Sequence, residues 1–194
     1  GRGRSIGCQV NLRFDSINIS KEEDLMGAGI TFKNLTIGYR SKHQLRAVAS
    51  SIHASLQEDK LTCLIGANGV GKSTLLRTLA GFQPPLDGEI LIQDKPLSAY
   101  SARELAQEIG VVLTTRMDTP QLSVQEIVGI GRSPYTGFWG TLSPADKKIV
   151  DEAIRQTGIQ HLASRSITEL SDGERQKVMI AKALAQQTSL IILD

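Results

Sequence analysis

The stretch Gly66-Ala67-Asn68-Gly69-Val70-Gly71-Lys72-Ser73-Thr74 decides what fold the rest of the chain is expected to have. It is a glycine followed by four residues and then Gly-Lys-Ser, the spacing of a phosphate-binding P-loop. The apolar run Leu61–Ile65 comes directly before it, and the apolar-rich stretch Leu75–Leu79 follows it. We therefore predict that the loop joins a strand covered on both faces to a helix.

Each residue type in this loop suits the binding of a nucleoside triphosphate. Backbone N–H groups at the start of a helix are rigid donors, and the helix macrodipole adds partial positive charge there. Glycine reaches positive φ and lets the backbone approach the phosphates closely. Lys72 is predicted to contact the β- and γ-phosphates, and Ser73 to contact Mg²⁺. The predicted phosphate-binding residues are Gly66, Ala67, Asn68, Gly69, Val70, Gly71, Lys72, Ser73 and Thr74.

Composition sets limits on the other possible functions. The chain has 194 residues, 40% of them hydrophobic, and 22 basic against 20 acidic residues give a formal net charge of +2. That balance offers no electrostatic case for a nucleic-acid partner. Two cysteines indicate no disulfide framework, and Cys63 is predicted to be a buried small hydrophobe. Because no apolar stretch approaches the roughly 20 residues of a membrane-spanning helix, any membrane role must come through partners.

Hydropathy patterns divide the chain into a leader and one domain. Residues 1–25 open with Gly-Arg-Gly-Arg and hold no apolar run long enough for a signal peptide. We expect them to be a poorly ordered leader of vector or misassigned origin, a native extension being the alternative. Residues 26–194 are predicted to form a mixed α/β domain with a helical insert at about 120–187.

Within the domain, period-2 alternation, apolar runs and turn residues predict the strands. Apart from Leu61–Ile65, these are Ile30–Tyr39, Ala47–Leu56, Gly88–Gln93, Ile109–Leu113 and Ser189–Leu193.

Helical spacing and N-terminal capping signals predict the helices. They are Ser101–Glu108, a helix from Ser123 with Glu126 three residues on, a helix from Ser143 to Gly158 with Asp146 in its first turn, and Ser171 to about Gln187. The apolar face of the third is predicted from Ala145, Ile149, Ala153 and Ile154.

Two further motifs resemble those of one family. Leu170-Ser171-Asp172-Gly173-Glu174-Arg175-Gln176 resembles the LSGGQ signature of ABC ATPases, and Leu190–Asp194 resembles a Walker B strand that ends in a Mg²⁺-associated aspartate. Tyr39 stands where that family places an aromatic ring that stacks on adenine. The resemblance covers Ile30 to Asp194. It implies an α/β fold of the P-loop NTPase type, with an antiparallel β subdomain and a helical insert, whose C-terminal part is missing after Asp194.

The resemblance also implies the ligands and the assembly. ATP and Mg²⁺ are the implied cofactors, and Asp194 joins Ser73 as an implied metal contact. A second ABC ATPase subunit, expected to be an identical copy, would sandwich ATP between the P-loop of one subunit and the signature helix of the other. A helix N-terminus suits this contact with the γ-phosphate. The implied signature contacts are Ser171, Asp172, Gly173 and Glu174.

A weaker resemblance concerns the type of transporter. The stretches Gly131–Tyr135 and Trp139–Ser143 resemble the ATPases that drive import of iron–siderophore, haem or cobalamin complexes. This implies transmembrane permease subunits, an indirectly acting periplasmic or surface substrate-binding protein, and a peripheral location on the cytoplasmic face of the membrane. Ordinary packing of an aromatic loop is the alternative interpretation.

Three departures from the family pattern bear on activity. Asp172 and Glu174 replace a glycine and a glutamine of the signature, and carboxylates near a triphosphate are repulsive unless they point away. The glutamine expected before the helical insert falls at Thr114 or Thr115, and Thr114 is the candidate for an additional metal contact. The glutamate expected to polarise the attacking water would follow Asp194, so we expect these 194 residues to hydrolyse ATP poorly.

Two other functions share the P-loop. A soluble ABC ATPase of translation or DNA repair would normally carry tandem cassettes or long coiled-coil insertions, and neither is visible in the sequence. A small-molecule kinase would need no signature helix. The sequence therefore favours an ATP-binding and hydrolysing subunit of an importer.

Overall fold

The computed structural model describes residues 28–41, 44–58, 60–112, 122–137 and 139–194. The chain divides into two compact units, residues 1–100 and 101–194. The predicted leader and Thr114 lie outside the described residues. None of the described helices is long and apolar enough to cross a membrane.

Where the structure describes the first unit, it is an antiparallel sheet with one α-helix and a short 3-10 turn. Its strands are β1 (Ala28–Arg40), β2 (Leu45–Gln57), β3 (Asp87–Ile92) and β4 (Lys95–Pro96), in the spatial order β2-β1-β3-β4. Helix α1 (Lys72–Leu79) packs against β1. This arrangement places the start of α1 beside the strand that carries Tyr39.

A bulge keeps the apolar side chains of β1 on the buried face. Ile30 and Phe32 are buried, and so are Leu35 and Ile37, although the two pairs differ in parity. The register shifts between Phe32 and Leu35, and Asn34 lies there with a left-handed φ of 46°. One extra residue at a bulge reverses which face the following side chains point to.

The described residues of the second unit form a parallel strand pair, four α-helices and short 3-10 turns. Helix α2 (Ala102–Glu108) leads into β5 (Ile109–Val112), which pairs in parallel with β6 (Leu190–Leu193). The helices between them are α3 (Val124–Ile130), α4 (Pro144–Gln156) and α5 (Asp172–Gln186). Their facing sides form one hydrophobic cluster that includes Ile127, Val128, Val150, Val178 and Ala181.

Most predicted elements are confirmed, including the capping box predicted at Ser123. The structure adds capping boxes at the starts of α2, α4 and α5. The strand predicted at Leu61–Ile65 is wrong, because this segment is irregular and its two terminal side chains are 55% and 58% exposed. A strand covered on both faces needs neighbours, and no described strand pairs with this run. Cys63 within it is only half-buried. On α4, Ala153 and Ile154 are buried as predicted and Val150 is buried as well, whereas Ala145 is exposed.

Candidate nucleotide-binding site

The glycine-rich loop Gly66–Gly71 leads into helix α1, whose first turn holds no acidic side chain. Gly71 is the N-cap of α1 with φ 109° and ψ 10°, and α1 begins at Lys72. Gly69 also has a positive φ, 82°. Because Gly71 has no side chain, it makes no capping hydrogen bond to the first N–H groups of the helix. These groups and the macrodipole suit an anion such as a phosphate.

Only glycine fits at the N-cap. A Cβ atom built on Gly71 would lie 2.6 Å from Cγ1 of Val48, a residue of β2. The left-handed backbone adds strain for any residue with a side chain. The tight packing of β2 against the loop therefore explains one glycine of the motif.

The side chain of Lys72 folds back onto the loop that precedes it. Its Nζ atom donates hydrogen bonds to the carbonyl oxygens of Gly66, at 2.7 Å, and Ala67, at 2.8 Å. Two backbone acceptors hold the ammonium group at the mouth of the loop, while Lys72 remains accessible to solvent. A fixed positive charge at that point favours an anionic ligand.

Tyr39 lies next to α1, the helix that follows the glycine-rich loop. Its hydroxyl shares a hydrogen bond of 3.0 Å with Oγ1 of Thr74, the third residue of α1. Thr74 is buried, whereas Tyr39 is 54% exposed. An aromatic ring with an open face suits stacking against a nucleobase.

In the second unit, the signature residues form the start of α5. Ser171 is the N-cap, and its N–H and hydroxyl donate to the Glu174 carboxylate at 2.8 and 2.7 Å. The N–H of Glu174 donates back to Oγ of Ser171. The hydroxyl of Ser171, followed by its N–H, lowers the pKa of Glu174 from its ordinary value. The carboxylate of Glu174 is therefore ionised and bound at the helix N-terminus.

The other signature carboxylate is also paired locally. Asp172 accepts a hydrogen bond of 3.2 Å from Nη1 of Arg175, one turn later in α5. Arg175 donates as well to the carbonyl oxygens of Ile167 and Thr168. Gly173 has open space where a Cβ atom would be. Both departures from the signature are thus accommodated within the chain by local hydrogen bonds.

The predicted metal contacts are oxygen atoms, and they lie in different units. Ser73 follows Lys72 in the first unit, and Asp194 follows β6 in the second, where its N–H donates to the carbonyl oxygen of Val112. A hydroxyl and a carboxylate are hard oxygen donors of the kind Mg²⁺ prefers. Among the described residues there is no group of three His, Cys, Asp or Glu side chains that would hold a metal alone.

The buried ion pair between Arg132 and Asp146 was missed from the sequence. Nε of Arg132 donates to Asp146 at 2.8 Å, and Nη1 donates to the carbonyl oxygen of Ala185 and the side chain of Gln187. Its guanidinium lies 4.0 Å from the ring centroid of Tyr135. The sequence predicts only that Asp146 lies in the first turn of α4. Nothing in the residues around Arg132 predicts that its side chain is buried.

Comparison with known proteins bears on the same segments. A model of the ABC transporter family matches residues 49–194. An uncharacterized ABC transporter ATP-binding protein of Methanocaldococcus jannaschii is 40% identical over 162 residues, which are 84% of this chain and 54% of that protein. The ferric enterobactin transport ATP-binding protein of Escherichia coli is 36% identical over 162 residues, 84% of this chain and 58% of that protein.

A solved structure shares the fold. It is a dimeric ATP-binding cassette in a post-hydrolysis state bound to ADP and Pi, with 25% identity and a TM-score of 0.71. The match covers 85% of this chain and 73% of that one. The chain spans less than two-thirds of the length of the two relatives above.

Proposed function

Since this chain belongs to the ABC transporter family, we propose that it binds ATP at Gly66–Thr74 and acts as the ATP-binding and hydrolysing subunit of an importer. The observation that carries the proposal is the geometry of the loop. The N-cap of its helix is Gly71, which makes no side-chain hydrogen bond to the first N–H groups. The Lys72 ammonium lies 2.7 and 2.8 Å from two carbonyl oxygens of the loop. A triphosphate tail matches this set of donors.

Each part of the nucleotide has a proposed partner in the chain. The β- and γ-phosphates would accept hydrogen bonds from the N–H groups of Gly69–Ser73 and from the Lys72 ammonium. The adenine would stack on the exposed ring of Tyr39. Ser73 and Asp194 would hold Mg²⁺, with Thr114 as a third candidate. The ion, when bound, neutralises charge that develops on the phosphate oxygens.

A second copy of the chain would complete the site. The N-terminus of α5, with Ser171, Asp172, Gly173 and Glu174, is proposed to face the γ-phosphate bound by the partner copy. The support is the N-cap geometry of Ser171 and the dimeric state of the solved cassette. Closure of such a dimer on ATP, and reopening after hydrolysis, would drive the permease.

The proposed transport system imports an iron–siderophore, haem or cobalamin complex. Support comes from the ferric enterobactin transport protein among the relatives and from the resemblance of Gly131–Tyr135 and Trp139–Ser143 to such ATPases. Transmembrane permease subunits would bind the chain at the cytoplasmic face of the membrane. A periplasmic or surface substrate-binding protein would act through them.

Equilibrium binding of ATP to the folded protein, with and without Mg²⁺, tests the proposal. Lys72→Ala should weaken binding at least about tenfold, because it removes a charge-assisted contact from the triphosphate. Lys60→Ala is the matched control, since Lys60 is an exposed lysine of the same unit outside the loop. Absence of Mg²⁺-dependent ATP binding, or wild-type affinity in Lys72→Ala, would overturn the proposal.

A further inference from the structure

A closed circuit of hydrogen bonds surrounds Tyr39 in the first unit. The hydroxyls of Tyr39 and Thr74 share a hydrogen bond of 3.0 Å, and Oγ1 of Thr78 donates to the carbonyl oxygen of Thr74 at 2.8 Å. Nε2 of Gln83 donates to Oγ1 of Thr78 at 3.1 Å and to the carbonyl oxygen of Gly38 at 3.2 Å. Since Gly38 precedes Tyr39 in β1, the circuit returns to its starting point. It ties both the backbone and the hydroxyl of the tyrosine to α1.

Two residues of the circuit are buried. Thr74 is 5% exposed and Thr78 is fully buried, whereas Tyr39 is 54% exposed. A buried hydroxyl group keeps its partner strongly, because an unsatisfied polar group in a dry site is costly. The hydrogen bond from Thr78 to Thr74 is therefore persistent, while the exposed part of Tyr39 remains available to a ligand.

The backbone end of the circuit is also held in place. A Cβ atom at Gly38 would overlap the carbonyl oxygen of Arg46, and it would lie 2.8 Å from a side-chain carbon of Leu86. The strand thus runs closely packed at this point. The carbonyl group that Gln83 binds has little freedom to move.

We propose that Gln83 and Thr78, together with Thr74, position the Tyr39 ring for the base of a nucleotide whose phosphates lie in the P-loop. This inference rests on the proposed function and adds to it two positioning residues outside the P-loop motif, Gln83 and Thr78. Both act through Tyr39 and Thr74 rather than by touching the nucleotide.

The physical advantage is preorganisation. A ring that is already fixed relative to α1 loses little conformational freedom when the base stacks on it. Because Thr74 lies in the first turn of the helix that receives the phosphates, the circuit also sets the separation between ring and phosphate loop. Loss of the circuit should therefore weaken the binding of base and phosphate together more than the binding of phosphate alone.

The test compares two ligands, Mg²⁺-ATP and Mg²⁺-tripolyphosphate, by equilibrium titration of the 194-residue protein. Gln83→Leu and Tyr39→Phe should each lower the ratio of ATP affinity to tripolyphosphate affinity about threefold to tenfold, the effect of one lost hydrogen bond. The double variant should lose little more than the stronger single variant, because both act on one circuit. Gln160→Leu, at an exposed glutamine of the second unit, is the control and should keep the wild-type ratio.

Thr78 supplies a conservative pair. Thr78→Ser keeps the hydroxyl and should keep the ratio, whereas Thr78→Val removes it and should lower the ratio. A circuit that only stabilised the fold would change both affinities equally. Thermal unfolding identifies any variant that fails to fold, and Tyr39→Phe, altered only at its hydroxyl, carries the test if Gln83→Leu does not fold.

Three results would overturn the inference. The first is a wild-type ratio of ATP affinity to tripolyphosphate affinity in Tyr39→Phe. The second is a loss in the Gln83→Leu/Tyr39→Phe double variant that equals the sum of the two single losses. The third is a wild-type protein that binds tripolyphosphate as tightly as ATP, which removes the base contact but leaves the phosphate site. Failure of the wild type to bind either ligand would instead refute the proposed function, and this inference with it.

Discussion

The hydroxyl of Ser171 and the carboxylate of Glu174 form a hydrogen bond of 2.7 Å at the start of α5. The donor that the proposed dimer would direct at a γ-phosphate is thus already bound to a negative charge. A helix N-terminus favours either anion, but both anions at once repel each other.

Glu174→Gln should tighten ATP-dependent dimerisation about threefold to tenfold at low salt. Glutamine can still accept from Ser171, while its neutral side chain does not repel the phosphate. The same change should slightly lower the thermal stability of the monomer, since a carboxylate near a helix N-terminus is stabilising. Sedimentation with and without ATP measures the change in dimerisation. If the cause is electrostatic, the difference between Glu174→Gln and the wild type should disappear in high salt. Weaker dimerisation in Glu174→Gln would contradict it.

Gly71→Ala should destabilise the protein by about 2–4 kcal/mol, from left-handed strain together with overpacking. The added methyl group would lie 2.6 Å from Cγ1 of Val48 at φ 109°. Gly137→Ala is the control, because nothing lies within 4 Å of its Cβ position. Denaturant unfolding of both variants measures the difference. Equal stability of the two variants would show that the loop relaxes freely around the methyl group.

Local signals in the sequence were enough to predict most element types and the positive φ angles of glycines in the loop Gly66–Gly71. Capping residues such as Ser123 and Ser143 act within one turn, so their effect is visible in sequence, and both cap as predicted. The apolar run at Leu61–Ile65 was misassigned because an apolar pattern indicates a need for burial and does not supply the neighbouring strand. Likewise, Gln83 makes hydrogen bonds to residues 45 and 5 positions away. No local pattern reports such contacts.

The Arg132–Asp146 pair predicts a specific dependence of stability on pH. Hydrogen bonds from Ser143 and then from Arg132 lower the pKa of Asp146 in the folded protein. A carboxyl group with a lowered folded pKa stabilises the fold above its ordinary pKa, and this contribution is lost as the pH falls through the lowered value. Asp146→Asn should therefore lower the Tm by several degrees at neutral pH.

The difference in Tm between Asp146→Asn and the wild type should shrink as the pH falls below the ordinary pKa of an aspartate and through the lowered pKa of Asp146. Asp151→Asn is the control, since Asp151 is exposed on the same helix. Its Tm should follow the wild type at each pH. A constant difference for Asp146→Asn across the pH range would show that its charge is not responsible.

Ile127→Ala tests whether the helical region has a core of its own. Ile127 is fully buried in the cluster formed by α3, α4 and α5, so its truncation should cost about 2–5 kcal/mol from lost burial and the cavity left behind. Ile130→Ala, at a side chain that is 42% exposed, should change stability by only about 0.5 kcal/mol.

Amide hydrogen exchange of Ile127→Ala then shows which elements lose protection. If the helices form a separate cooperative unit, Ile127→Ala should speed exchange in α3–α5 and leave β1 and β2 protected. Equal acceleration in the helices and in the sheet would mean that the two units unfold together, and the insert would then be a topological feature without independent stability.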